Sequence, residues 1–200
     1  MFPVPSSACG HVASIAVVLM LTDPVFAADG IQTYHDRKYG FAFQYPMAWS
    51  AQPGIGRNTR VVITSPVNKP EANCNVVVRH IPSTVSQTQS DLNRGLNGKE
   101  FEHDYWLRDM PRDTRVFDPK KHSIGNQVAR SAVLQISASI QGRTQYATQL
   151  HLITLRPGLF FGFTCGSTGD TAAEATAGFT HWKETFSKIV FSLKFTDQKR

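Results

Sequence analysis

The sequence lacks the short motifs that mark common hydrolases, metalloenzymes and nucleotide-binding proteins. It contains no HExxH or HxH pair for zinc, no GxSxG nucleophile turn and no CxxC redox pair. Residues 54–58, GIGRN, are too short for a dinucleotide fingerprint and have no βαβ context. We therefore predict no catalytic, cofactor-binding or metal-binding residue, and no cofactor.

Long apolar runs are also missing. The run at residues 12–21, VASIAVVLML, is too short to span a bilayer. Val25 and Ala27 follow it with the small-residue spacing that signal peptidase reads. We expect residues 1–27 to be a cleavable signal peptide, although this leader carries no Lys or Arg. Residues 28–200 then form a single domain of a periplasmic or secreted protein.

Runs of one charge are scarce. The chain has a net charge of +6, which becomes +7 when the leader with its single Asp is removed. The basic residues are scattered, with only short pairs such as Lys120-Lys121. A nucleic-acid-binding surface needs clustered Lys and Arg, so we expect no nucleic acid partner.

Cysteine is rare, and its positions are informative. Cys9 lies in the leader, where no lipoprotein signal surrounds it, so the mature chain keeps Cys74 and Cys165. Two cysteines in an exported protein usually pair, because the compartment is oxidising. We expect a Cys74–Cys165 disulfide; the alternative is two free thiols.

The remaining pattern is rich in strands. Alternating or β-branched segments bounded by Gly and Pro predict strands at residues 31–37, 40–45, 60–66, 74–82, 127–140, 144–155 and 159–165. Residues 83–110 predict one or two short amphipathic helices, and residues 108–122 a loop or an irregular strand. Residues 171–190 have helical apolar spacing, with Asp170 or Thr171 as the cap. Antiparallel strands with a few amphipathic helices predict an α+β fold.

The opening segment carries a specific resemblance. It reads Gly-Phe-x-Phe-x-Tyr-Pro-x-x-Trp, formed by Gly40, Phe41, Phe43, Tyr45, Pro46 and Trp49. Together with VVITSP, NCNVVV, LFFGFTC and FSKIVFSLKF, it resembles the PsbP-like fold family. That family includes the extrinsic PsbP subunit of photosystem II and many small bacterial envelope proteins. The resemblance implies an antiparallel sheet with helices packed on it, an α/β/α sandwich that serves as a binding or accessory module.

The aromatic residues of this segment allow two interpretations. Phe41, Phe43 and Tyr45 share one face of a strand, and Trp49 follows the Pro that ends it. They either form a ligand cage or pack in the core. We favour core packing.

Two functional hypotheses remain. We expect an exported, monomeric, non-enzymatic module that binds an envelope protein or a small ligand. The alternative is a periplasmic enzyme, such as a hydrolase, that uses acid–base groups between residues 102 and 113: Glu102, His103, Asp104, Asp109 and Asp113. Neighbouring helical residues point in different directions, which argues against a site at His103 and Asp104.

Overall fold

The computed structural model describes residues 30–67, 70–108, 110–140 and 142–196. The predicted signal peptide, Cys9 and Asp109 therefore lie outside the described residues. The strands are β1 (Ile31–Asp36), β2 (Phe41–Pro46), β3 (Ser50–Pro53), β4 (Thr59–Thr64), β5 (Asn73–His80), β6 (Arg115–Ile124), β7 (Gln127–Ile140), β8 (Arg143–Arg156), β9 (Leu159–Gly169) and β10 (Lys194–Phe195). The helices are α1 (Gln89–Leu96), α2 (Asp104–Leu107) and α3 (Ala172–Phe191), with 3-10 turns at Pro82–Thr84 and Lys99–Phe101.

The strands form two antiparallel sheets. The large sheet has seven strands in the order β3-β4-β5-β9-β8-β7-β6, and the small sheet has three in the order β1-β2-β10. Three pairs of the predicted strands form antiparallel hairpins, because β1 pairs with β2, β4 with β5 and β7 with β8. The described residues contain no helix long and apolar enough to cross a membrane.

The small sheet and α3 cover one side of the large sheet. Phe41 and Phe43 of β2 meet Phe161 and Phe163 of β9 edge-on, with ring centroids 5.8 and 4.8 Å apart. Phe41, Phe43, Tyr45 and Trp49 are 1, 1, 8 and 3 % exposed. The rings thus form the main core, where aromatic pairs of this geometry stabilise packing. The core interpretation of the opening segment is confirmed.

Side-chain contacts fix the start of helix α3 and its position against the rest of the domain. The hydroxyl of Thr171 accepts the N–H of Glu174, which makes Thr171 the cap rather than Asp170. Trp182 packs edge-on against Trp49 at 5.1 Å and donates its indole N–H to the Pro70 carbonyl at 2.8 Å. The helix therefore ties the start of the domain to the β4–β5 connection.

The predicted disulfide is present. Cys74 of β5 and Cys165 of β9 lie directly opposite each other, with Cα atoms 4.0 Å apart, and both are fully buried. The bond therefore joins two central strands within the main core.

A smaller helical layer covers part of the other side of the large sheet. Leu96 of α1 and Trp106 of α2 pack against Ala132 and Leu134 of β7 and Ile153 of β8. Thr88 and Asp91 form a reciprocal cap at the start of α1. The sandwich is thus confirmed, with two sheets where one was expected.

Strand β6 settles the open choice between a loop and an irregular strand. It pairs with β7 over most of its length, but the register shifts between Phe117 and Lys120. Asp118 adopts a positive φ of 52°, and Pro119 follows it. Pro lacks an N–H to donate, so this bulged segment suits an edge strand.

Candidate functional site

One part of the large sheet carries half-exposed polar side chains that are not part of either hydrophobic core. We call it the open face: the side away from α3, on β4, β5, β9 and β8, next to the area under α1 and α2. Its half-exposed residues are Val62, Thr64, Asn73, Asn75, Val77, Gln149, His151 and Thr164.

Strand register arranges these residues in two polar rows. Asn75 lies opposite Thr164, which lies opposite His151. In the next row, Asn73 and Gln149 both lie opposite Gly166. Residues that face each other across antiparallel strands have neighbouring side chains, so the rows form one continuous surface.

His151 is held by hydrogen bonds on both ring nitrogens. Its Nε2 lies 2.9 Å from Gln149 Oε1, and its Nδ1 lies 3.3 Å from Thr164 Oγ1. The amide oxygen only accepts, so Nε2 carries the proton and Nδ1 accepts the Thr164 hydroxyl. Desolvation lowers the pKa of His151 to about 4. A neutral ring with both nitrogens engaged is a positioned hydrogen-bonding group and not a poised general base.

Glycine lets the two rows lie close together. A Cβ at Gly166 would sit 2.6 Å from Gln149 Cγ and 2.7 Å from the Thr148 carbonyl oxygen. Any larger residue would push Gln149 away and break its bond to His151. The surface geometry therefore depends on this position.

An aromatic and cationic border adjoins the open face. The Arg79 guanidinium lies over the Phe160 ring at 4.5 Å, and Arg108 lies 6.0 Å from the Tyr105 ring centroid. Desolvation raises the pKa of Tyr105, and the charges of Arg79 and Arg108 partly oppose that rise. Tyr105 therefore remains a neutral phenol at physiological pH. Cations over rings of this kind are stabilised by the ring quadrupole.

Among the described residues of the alternative enzyme hypothesis, His103 and Asp104 do not line a common cavity with Asp113. His103 Nδ1 and Asp104 Oδ1 lie 3.5 Å apart, and the two side chains are 59 and 91 % exposed. Asp113 borders a cavity whose lining includes neither of them. Within the described ranges, no group of three or more His, Cys, Asp or Glu residues can hold a metal ion.

A cysteine and a histidine that could act as a nucleophile and its base lie on opposite sides of the large sheet. Cys165 is in the disulfide and points to the α3 side, whereas His151 points to the open face. The glycines at 166 and 169 lie inside β9, which extends beyond the predicted strand at residues 159–165. The strand continues because β8 supplies partners as far as Gly169.

Comparison with known proteins shows which fold this chain has. No protein-family model and no curated protein matches the sequence. The solution structure of cyanobacterial PsbP (CyanoP) from Synechocystis sp. PCC 6803 is similar, with a TM-score of 0.51 and 18 % identity over 94 % of this chain and 98 % of that one. This chain has the PsbP-like fold. LpqN of Mycobacterium tuberculosis, described as involved in cell envelope biogenesis, shares it with a TM-score of 0.50 and 14 % identity over 84 % of this chain and 92 % of LpqN.

The PsbP-like fold does not by itself identify an activity, because one fold serves many functions. The open face was not identified from the sequence. The available signal was the alternation in NCNVVV and QLHLIT, where polar Asn73, Asn75, Gln149 and His151 alternate with buried apolar residues. That alternation indicates two-sided strands but not which strands become neighbours.

Proposed function

We propose that this protein is an exported, non-enzymatic binding or accessory module of the periplasm or cell envelope. It acts as a monomer, and the open face binds a segment of another envelope protein. The observation that carries the proposal is the row Asn75–Thr164–His151, in which the hydrogen bonds of His151 to Gln149 and Thr164 hold the polar side chains in place on the sheet.

The chemistry of the open face favours a protein partner. Its two rows hold amides, hydroxyls and a neutral imidazole, and its border supplies Tyr105, Phe160 and Arg79. Interfaces between proteins are enriched in Tyr, Phe and Arg and carry many direct hydrogen bonds. The half-exposed amides of Asn73 and Asn75 each offer donors and an acceptor to a peptide backbone.

Two further observations support an envelope location. The fully buried Cys74–Cys165 disulfide is typical of proteins that fold in an oxidising compartment. LpqN, which has the same fold, is described as involved in cell envelope biogenesis. An enzyme based on residues 102–113 is disfavoured because catalysis needs groups within hydrogen-bonding reach of one reacting atom.

Site-specific photocrosslinking in intact producing cells tests the proposal. Benzoylphenylalanine replaces Asn75 on the open face, and in a control protein it replaces Glu184, an exposed residue of α3. We expect a defined adduct with one envelope protein from position 75 and none from position 184. The proposal fails if position 75 gives no adduct, or if both positions give the same set of adducts.

A further inference from the structure

A second site lies on the opposite side of the large sheet. A cavity of about 270 Å³ opens where the first turn of α3 meets the end of β7 and the starts of β8 and β6. Its lining includes Asp113, Arg115, Gln135, Tyr146, Thr148 and Ala172. It is distinct from the open face, because Gln135 and Thr148 point towards α3 and bond Thr176 of that helix.

A polar row crosses the sheet at this cavity. Arg115 lies opposite Gln135, Gln135 opposite Thr148, and Thr148 opposite Ser167. The next row on the same side is apolar, with Val133, Leu150 and Cys165 in register. Thr148 is 3 % exposed and Ser167 1 % exposed. Polar residues at such depth cost stability unless they bond to something.

Bonding within the protein satisfies this row only in part. The Thr176 hydroxyl donates to the Ala172 carbonyl at 2.8 Å, so it accepts from Gln135 Nε2 at 3.1 Å and from Thr148 Oγ1 at 3.3 Å. No described residue donates to the Thr148 oxygen or to Gln135 Oε1, so both can accept a hydrogen bond at the cavity. The buried hydroxyl of Ser167, which lies in the row but not in the lining of the cavity, has no partner among the described residues.

The cavity also holds opposite charges. Asp113 and Arg115 both line it, and neither forms an ion pair with any described residue. A simple anion would be attracted by Arg115 but repelled by Asp113, and a simple cation the reverse. A ligand that carries both charges is complementary to the pair.

We propose that this cavity binds a free α-amino acid. Its carboxylate pairs with the Arg115 guanidinium, which can donate two parallel hydrogen bonds. Its ammonium donates to Asp113, Gln135 Oε1 and Thr148 Oγ1, which matches its three protons. Ala172, Ala175 and Tyr146 line the same space, so a small apolar side chain is favoured.

Isothermal titration of the purified protein with L-alanine, L-valine and L-leucine tests the inference. Two analogues of leucine, isopentylamine without the carboxylate and 4-methylpentanoate without the ammonium, serve as ligand controls. We expect at least one amino acid to bind, and each analogue of leucine to bind at least about tenfold more weakly than leucine, because each loses a charge-assisted contact.

Substitutions in the cavity test whether the amino acid binds there. Arg115→Gln and Asp113→Asn should each weaken amino acid binding at least about tenfold, whereas Arg143→Gln, an exposed arginine on β8 outside the cavity, should not change it. The inference is overturned if none of the three amino acids binds up to about 10 mM. It is also overturned if leucine and isopentylamine bind equally, or if Arg115→Gln binds like the original protein. The analogue comparison needs no variant, so it decides the matter even if a substitution unfolds the chain.

Discussion

A buried ion pair joins the two sheets, and its removal gives the most quantitative test of the fold. Asp36 ends β1 in the small sheet, and Arg60 lies in β4 of the large sheet. Their side chains meet at 3.1 Å and are 3 and 29 % exposed, respectively. Asp36 also accepts the N–H of Tyr39 at 3.0 Å, and Arg60 lies over the Tyr39 ring at 4.8 Å.

The change is Arg60→Gln, which leaves the Asp36 carboxylate buried without its counter-charge. Removing one partner of a fully buried pair costs about 3–5 kcal/mol. Because Arg60 is part-exposed, water can replace some of the lost interaction, and we expect a loss of about 2–3 kcal/mol. Each kcal/mol shifts the melting temperature of a chain of this size by about 2–4 °C, so the expected fall is roughly 5–10 °C.

Urea unfolding followed by the fluorescence of the buried Trp49, Trp106 and Trp182 measures the loss, with the disulfide intact. Arg57→Gln, an exposed arginine in the β3–β4 loop, is the matched control and should stay within about 0.5 kcal/mol of the original protein. Asp36→Asn combined with Arg60→Gln should cost less than the sum of the two single changes. If Arg60→Gln unfolds at the same urea concentration as the original protein, the Asp36–Arg60 ion pair does not stabilise the fold as described.

The disulfide and the histidine give two further predictions. Reducing Cys74–Cys165, or replacing both cysteines by Ala, should lower the free energy of unfolding by about 4 kcal/mol, measured by urea titration with and without reductant; an unchanged midpoint would contradict it. NMR titration should show His151 still neutral at pH 5, because its pKa is lowered to about 4. The unfolded chain binds this proton first, so stability should fall as the pH drops from about 6.5 towards 4, and His151→Gln should reduce that slope. A His151 that titrates near 6.5 would refute the desolvated ring with hydrogen bonds on both nitrogens.

Local patterns were sufficient to predict most of the strands. Phe41, Phe43 and Tyr45 alternate with smaller or polar residues, and the structure buries them as that period requires. The hairpin of β7 and β8 follows from two long strand patterns separated by a Gly-containing turn. By contrast, β3 has only Ser50–Pro53 and no β-branched residue, so its pairing with β4 had no local signal.

The functional surfaces depend on strand order, which local patterns do not determine. Asn75, Thr164 and His151 become neighbours only because β9 lies between β5 and β8. The same order places Arg115, Gln135 and Thr148 in one row. The cysteine pair was predictable from the number of cysteines and the expected compartment, whereas the placement of Cys74 directly opposite Cys165 follows from the same sheet order. Long-range strand pairing is a property of the whole fold, so neither site could be predicted from local sequence patterns.

The most direct test of the central claim uses the envelope protein captured by crosslinking. Its affinity is measured for Asn75→Arg, which places a bulky charge on the open face, and for the matched control Asn126→Arg in the exposed β6–β7 turn. Both variants should melt close to the original protein. We predict that Asn75→Arg weakens binding at least about tenfold while Asn126→Arg leaves it unchanged, as expected when an unpaired charge enters an interface. Equal affinity of all three proteins would contradict the claim that the open face is the binding surface.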